Sequence, residues 1–132
     1  MSIYKNGSLY ATKGGGGAGG INYSTEEQDT GLTWIDGKKI YQKTFAYEGN
    51  QTTNEHVIDN FYIDTLVDVK GVWTRYVSAT DFMQYSIPGF ETTQIFAFAR
   101  KNIDNRIMWR TYIQAGTPKD VYLTIIYTKT EE

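Results

Sequence analysis

Leu32-Thr33-Trp34-Ile35-Asp36-Gly37-Lys38-Lys39-Ile40-Tyr41 is the run on which the fold turns. Its two halves are rich in strand formers, and Thr44 and Phe45 extend the second half. Asp36-Gly37 between them offers the positive-φ positions that a tight turn requires, so the run predicts a β-hairpin. With a two-residue turn, Ile35 faces Lys38, Trp34 faces Lys39 and Thr33 faces Ile40. A three-residue loop shifts each pair by one, and the sequence admits both. The hairpin carries no catalytic chemistry.

Working outward, Ser24-Thr25-Glu26-Glu27 has the form of a helix cap with carboxylates in a first turn, so a single turn is expected there. Downstream, Ala46 to Glu55 reads as a polar loop. Thr65 to Lys70 alternates, with Leu66, Asp68 and Lys70 against Val67 and Val69. Val72 to Val77 starts another strand, Asp81 to Tyr85 is ambiguous, and Ile87-Pro88-Gly89-Phe90 reads as a turn. Thr92 to Arg100 is an expected strand with Ile95 and its neighbours partly inside. Ile107, Trp109, Thr111 and Ile113 share one face of a further strand. Gly116 to Asp120 turns the chain into a final strand with Val121, Leu123, Ile125 and Tyr127 inward. About seven or eight short strands at roughly ten-residue spacing, without a convincing helix, indicate an all-β fold, an antiparallel β-sandwich of jelly-roll-like kind.

Tyr23-Ser24, Glu27, Gly31, Trp34-Ile35-Asp36-Gly37-Lys38 and Ile40-Tyr41, with Lys43-Thr44 behind, resemble a short signature of tailed-bacteriophage virion proteins. These are head-fibre, tail-fibre and related appendage proteins with a β-rich domain. Looser likeness continues through Ile58-Asp59-Asn60, Leu66 to Gly71 and Val121 to Lys129, so it covers roughly residues 21 to 130. Lys39 stands where that family commonly carries Pro. The resemblance implies a structural virion role and a homotrimer, since phage fibres are commonly trimeric.

The 132 residues suit one domain with an arm. Aromatic residues make up 15% of the chain, with 11 Tyr, which leans towards sheets and interfaces. The absence of Cys excludes a disulfide framework and a thiol nucleophile. Net charge is −2 with basic residues scattered, so no electrostatic footprint for nucleic acid or anionic lipid is expected. No apolar run reaches the ~20 residues that a membrane-spanning helix needs, and Met1 to Tyr10 lacks the apolar core of a secretion signal.

Residues 1–20 differ from the rest. Ile3, Tyr4, Leu9 and Tyr10 flank Asn6-Gly7 in what reads as a small hairpin, and such a hairpin needs something to dock against. Lys13 to Gly20 is Gly-rich. No Lys-Ser/Thr follows the glycines, so a phosphate-cradling loop is set aside in favour of a tether. Residues 1–20 are therefore expected to form an anchoring arm and tether, with Ile3, Tyr4, Leu9 and Tyr10 gripping a capsid or tail protein. Residues 21–132 would form the β-sandwich domain.

His56, the single histidine, lacks an evident nucleophile and orienting acid and reads as an ordinary polar-edge residue. With 15 acidic residues, some pair always meets the spacing for glycoside hydrolysis, so that criterion decides nothing. No catalytic residue, metal ligand or cofactor is expected. Trp34, Trp73 and Trp109 sit in strand-like runs and are expected in the core; the alternative is a sugar-stacking platform built on Trp73 with Tyr76 or Trp109 with Tyr112. Tyr76, Tyr112, Tyr122 and Ile126 are the candidates for a ligand or subunit interface, because an apolar outer strip marks a contact. The expectation is a virion appendage, assembled in the host cytoplasm, that projects a β domain which binds host-surface glycans. A monomeric carbohydrate-binding module is the other reading.

Overall fold

The structure, a computed structural model, describes residues 22–130. The expected arm and tether, with Ile3, Tyr4, Leu9 and Tyr10, lie outside the described residues. Within them the chain is all β, with strands β1 (Gln28–Thr33), β2 (Lys39–Asn50), β3 (His56–Tyr62), β4 (Leu66–Ser78) and β5 (Asp81–Ile87). There follow β6 (Gly89–Thr92), β7 (Ile95–Lys101), β8 (Arg106–Ile113) and β9 (Thr117–Tyr127). They form a five-stranded sheet in the order β1-β2-β9-β4-β5 and a four-stranded sheet in the order β3-β8-β7-β6. All pairings are antiparallel and the two sheets pack together, so the expected antiparallel β-sandwich is what the chain forms.

Alternation decides the interior. Ile107, Trp109, Thr111 and Ile113 of β8 are all buried, as are Val121, Leu123, Ile125 and Tyr127 of β9. β9 is central, flanked by β2 and β4, and each strand's inward residues add to one cluster with Ile58, Phe61, Ile63, Trp73 and Ile87. Burying side chains of this size stabilises by about 1.5–3 kcal/mol each against leaving them in water. Three aromatic contacts bridge the sheets: Phe61 of β3 meets Phe45 of β2 at 4.8 Å and Tyr127 of β9 at 4.9 Å, and Tyr47 of β2 meets Trp109 of β8 at 4.8 Å.

The hairpin is present with the three-residue loop. Thr33 pairs with Lys39, the Trp34 N–H donates to the Lys38 carbonyl, and the Gly37 N–H donates back to Trp34. Gly37 sits at φ +91°, where a side chain is strained, so the loop depends on glycine there. Trp34 is not in the core, contrary to expectation. β9 pairs with β2 only from Tyr41 onward, so the hairpin tip extends past the end of β9. Ile35 at the tip is 92% exposed. A Lys38–Asp64 ion pair of 2.7 Å ties the tip to the β3–β4 connection.

Other differences have local causes. Ser24 makes a hydroxyl turn, its Oγ accepting from the Glu26 N–H, and no helical turn forms. The expected polar loop from Ala46 is strand as far as Asn50, because β9 offers backbone partners along that whole edge. β9 likewise starts at Thr117, not Val121. Leu66 and Val69 both reach the core, since a register shift between Leu66 and Asp68 breaks the alternation. Ile87 to Phe90 is a corner: β5 leaves the five-stranded sheet and resumes at Gly89 as β6 of the other, through a cis Ile87–Pro88 peptide.

Candidate interaction surfaces

On the four-stranded sheet, small residues go in and large ones go out along β7. Ala97 and Ala99 lie opposite Thr111 and Trp109, and Trp109 fills the interior there. Phe96 and Phe98 therefore face outward, alongside Arg110 and Tyr112 of β8. Phe96 and Tyr112 are directly opposed, with ring centroids 5.0 Å apart and planes 18° apart. Coplanar rings cannot approach that closely, so these two stand on the sheet and stack face to face. Phe90 of β6 continues the row at 6.5 Å from Phe96 and is 70% exposed. Phe98 adds a second rank along β7.

Two cations hold this row. The Arg110 guanidinium lies 5.1 Å over Tyr112 and 5.7 Å from Phe96, and its Nε donates to the Thr53 carbonyl at 2.8 Å. Arg100 lies 5.5 Å over Phe98 and faces Glu55 at 3.9 Å. The result is an apolar, aromatic face with a cationic border. Such a face suits a flat apolar contact, because aromatic side chains give large area for little lost rotamer freedom.

The outer face of the five-stranded sheet is different. Its middle positions are Gln42, Thr44 and Ala46 of β2, Thr124 and Tyr122 of β9, and Lys70 and Val72 of β4. Thr44 and Thr124 share a 2.8 Å hydroxyl bond. Residues 22–27 run beside them: Ser24 accepts from the Thr44 N–H, and Gln42 and Gln28 both donate to the Asn22 carbonyl. Tyr23 to Thr25 wall one side of a groove of ≈ 570 Å³ floored by Ala46, Val72 and Thr124. The segment is fastened at Glu27, which accepts from the Tyr127 hydroxyl and pairs with Lys129 at 2.5 Å. Burial pushes the Glu27 carboxyl up, but the Lys129 and Tyr127 hydrogen bonds and the Lys129 and Lys43 charges outweigh it and hold it below its ordinary value. Burial, together with the same contact, drives the Tyr127 hydroxyl well above its ordinary value.

The four interface candidates therefore do not form one patch. Tyr112 belongs to the aromatic row. Tyr76, Tyr122 and Ile126 share the outer face of the other sheet, where Lys119 sits 4.5 Å over Tyr76 and the Tyr122 hydroxyl donates to Glu48. Ile126 is half-buried opposite Gln42 and Asp68. Phe90, Phe96, Phe98, Arg100 and Arg110 were not among the expected residues. Their signal was the Phe-Ala-Phe-Ala alternation read against Trp109.

Of the platform alternatives, Trp73 and Trp109 are core residues, each 1% exposed, and neither presents a face to solvent. His56 stacks on Trp109 at 4.3 Å, with its Nε2 3.3 Å from the Thr52 hydroxyl. Among the described residues no group of three or more His, Asp or Glu is placed to hold a metal ion. The chain matches no protein-family model, no curated protein and no solved structure.

Proposed function

We propose that this protein is a non-enzymatic appendage of a tailed-phage virion, built as a homotrimer of β-sandwich domains. It is a head fibre or decoration protein, with a tail fibre as the nearest variant. Assembled in the host cytoplasm, it would be anchored through residues 1–20 and project its domain towards host-surface glycans. The observation that carries the reading is the outward aromatic row Phe90–Phe96–Tyr112 with Phe98 beside it, an apolar sheet face bordered by Arg100 and Arg110. Faces of this kind mark subunit contacts. The signature residues Trp34 to Tyr41 add support, since they form a hairpin tip that extends past the end of β9 and presents Leu32 and Ile35 outward.

Solution mass by light scattering tests the reading on the full chain and on one beginning at Ile21. The expected result is three times the single-chain mass for both, 15.1 kDa being that of the full chain, because the aromatic row belongs to the domain. A full chain that stays at 15.1 kDa sinks the trimer and favours a monomeric carbohydrate-binding module. That second reading draws on the polar cleft at the open seam between β5 and β6.

A further inference from the structure

β5 and β6 are edge strands of different sheets joined at the Pro88 corner, and the sandwich opens along that seam. The opening is a cleft of ≈ 340 Å³ lined by residues of β4, β5, β6 and β7. That volume lies at the lower end of the range for small-molecule sites, about 300–1,000 Å³. Trp73 lies at its inner end, 1% exposed, and its buried indole N–H has no hydrogen-bond partner. A buried donor left unpaired costs about 1–3 kcal/mol, so an acceptor brought into the cleft has something to gain. Gln84, Tyr85, Ser86, Phe90 and Glu91 also line the cleft, so its walls belong to residues that carry an amide, a hydroxyl and a carboxylate. Tyr85 packs on Trp73 at 5.2 Å, which fixes the indole from one side.

We propose that this cleft binds one neutral sugar ring. The deduction rests on the reading that the domain attaches to host-surface glycans. Hydroxyl groups both donate and accept, so they match a lining that offers an indole N–H, an amide, a hydroxyl and a carboxylate at once. The ring's C–H face matches Tyr85. Glu91 is the one charged residue of the lining, which disfavours acidic sugars, and the polar side chains disfavour a purely apolar ligand. A cleft for a single ring at an edge suits the end of a glycan chain.

The test follows the indole N–H signals of Trp34, Trp73 and Trp109 by nitrogen–proton NMR on the full chain, assigned with Trp34→Phe and Trp109→Phe. The probes are glucose, galactose, N-acetylglucosamine, their short oligomers and glucuronate. The expected result is a saturable shift of the Trp73 signal alone, with at least one neutral sugar. Glu91→Ala and Gln84→Ala should each weaken it roughly tenfold, and Ile103→Ala, at a 97% exposed position between β7 and β8, should not. Binding of the oligomer at least as tightly as the single sugar identifies a glycan end; preference for the single sugar identifies a free saccharide, and both uphold the cleft. No shift of Trp73 at tens of millimolar of any neutral sugar overturns it, as does an equal response to glucuronate. A threefold mass without a sugar response would defeat this site and leave the appendage standing. A sugar response on a monomer would do the reverse.

Discussion

On the five-stranded sheet the outward middle positions are Gln42, Thr44 and Thr124, where residues 22–27 of the same chain run alongside and take the Gln42 side chain while the two threonines bond each other; on the four-stranded sheet the equivalent positions are Phe96, Phe98 and Tyr112, bordered by Arg100 and Arg110. Gln42 and Thr124 end up 8% and 4% exposed, whereas Phe90 is left at 70%. The two faces share one alternation and one core, so the contrast lies in what each can accept. A polar face can hold a neighbouring segment through directional hydrogen bonds, as the Gln42 amide does at the Asn22 carbonyl. An aromatic row has few such bonds to offer and gains chiefly from apolar area, which another chain supplies more readily than a loop.

Removing what both faces rest on should have the largest effect. Trp109 touches Tyr47 from the opposite sheet and His56 from its own. Trp109→Ala should cost about 3–5 kcal/mol, read from the denaturant midpoint. A cost under ~1 kcal/mol would mean that the interior closes over the gap, and that the faces do not depend on it.

The contrast itself is broken by charge. Phe96→Glu should weaken self-association at least ~30-fold, seen as a fall from trimer to monomer in light scattering, while Tyr122→Ala on the other face leaves the mass unchanged. If Tyr122→Ala dissociates the assembly and Phe96→Glu does not, the assignment of faces is reversed.

The smallest effect sharpens the contrast. The Glu27 carboxyl is held below its ordinary 4.5, so its contribution to stability is present above about pH 4.5 and is lost as pH falls through the lowered value. Its side chain is 34% exposed, which limits that contribution to about 1 kcal/mol or less. Glu27→Gln should therefore lower stability at neutral pH, by a difference that is smaller at ~pH 3 in urea unfolding. Amide exchange at Thr44 should quicken in the variant, since residues 22–27 lose their fastening. Equal differences at both pH values would place the Glu27 contribution outside its charge.

Much of the fold was legible where one face is apolar and the other is not. β8 and β9 show their inward sets directly, because Ile107 to Ile113 and Val121 to Tyr127 alternate without interruption. β7 was harder: Ile95-Phe96-Ala97-Phe98-Ala99 is apolar on both faces, and only the bulk of Trp109 across the pair decides which face is inside. Trp34 misled for the opposite reason, since its strand-like neighbours say nothing about where β9 ends. The seam cleft was hidden because Gln84, Ser86 and Glu91 lie in runs with no periodic signal. A strand that changes sheet at Pro88 looks, in sequence, like a turn.

The bond between Glu27 and the end of β9 also sets how the domain carries load. A pull on the chain where it comes in at Asn22 reaches Glu27 and passes through Tyr127 and Lys129 to the middle strand of the larger sheet. Force on β9 acts along the strand, across the perpendicular ladders to β2 and β4 together, so those bonds are sheared in parallel and not opened one at a time from the β1 edge. One carboxylate thus converts a peeling geometry into a shearing one.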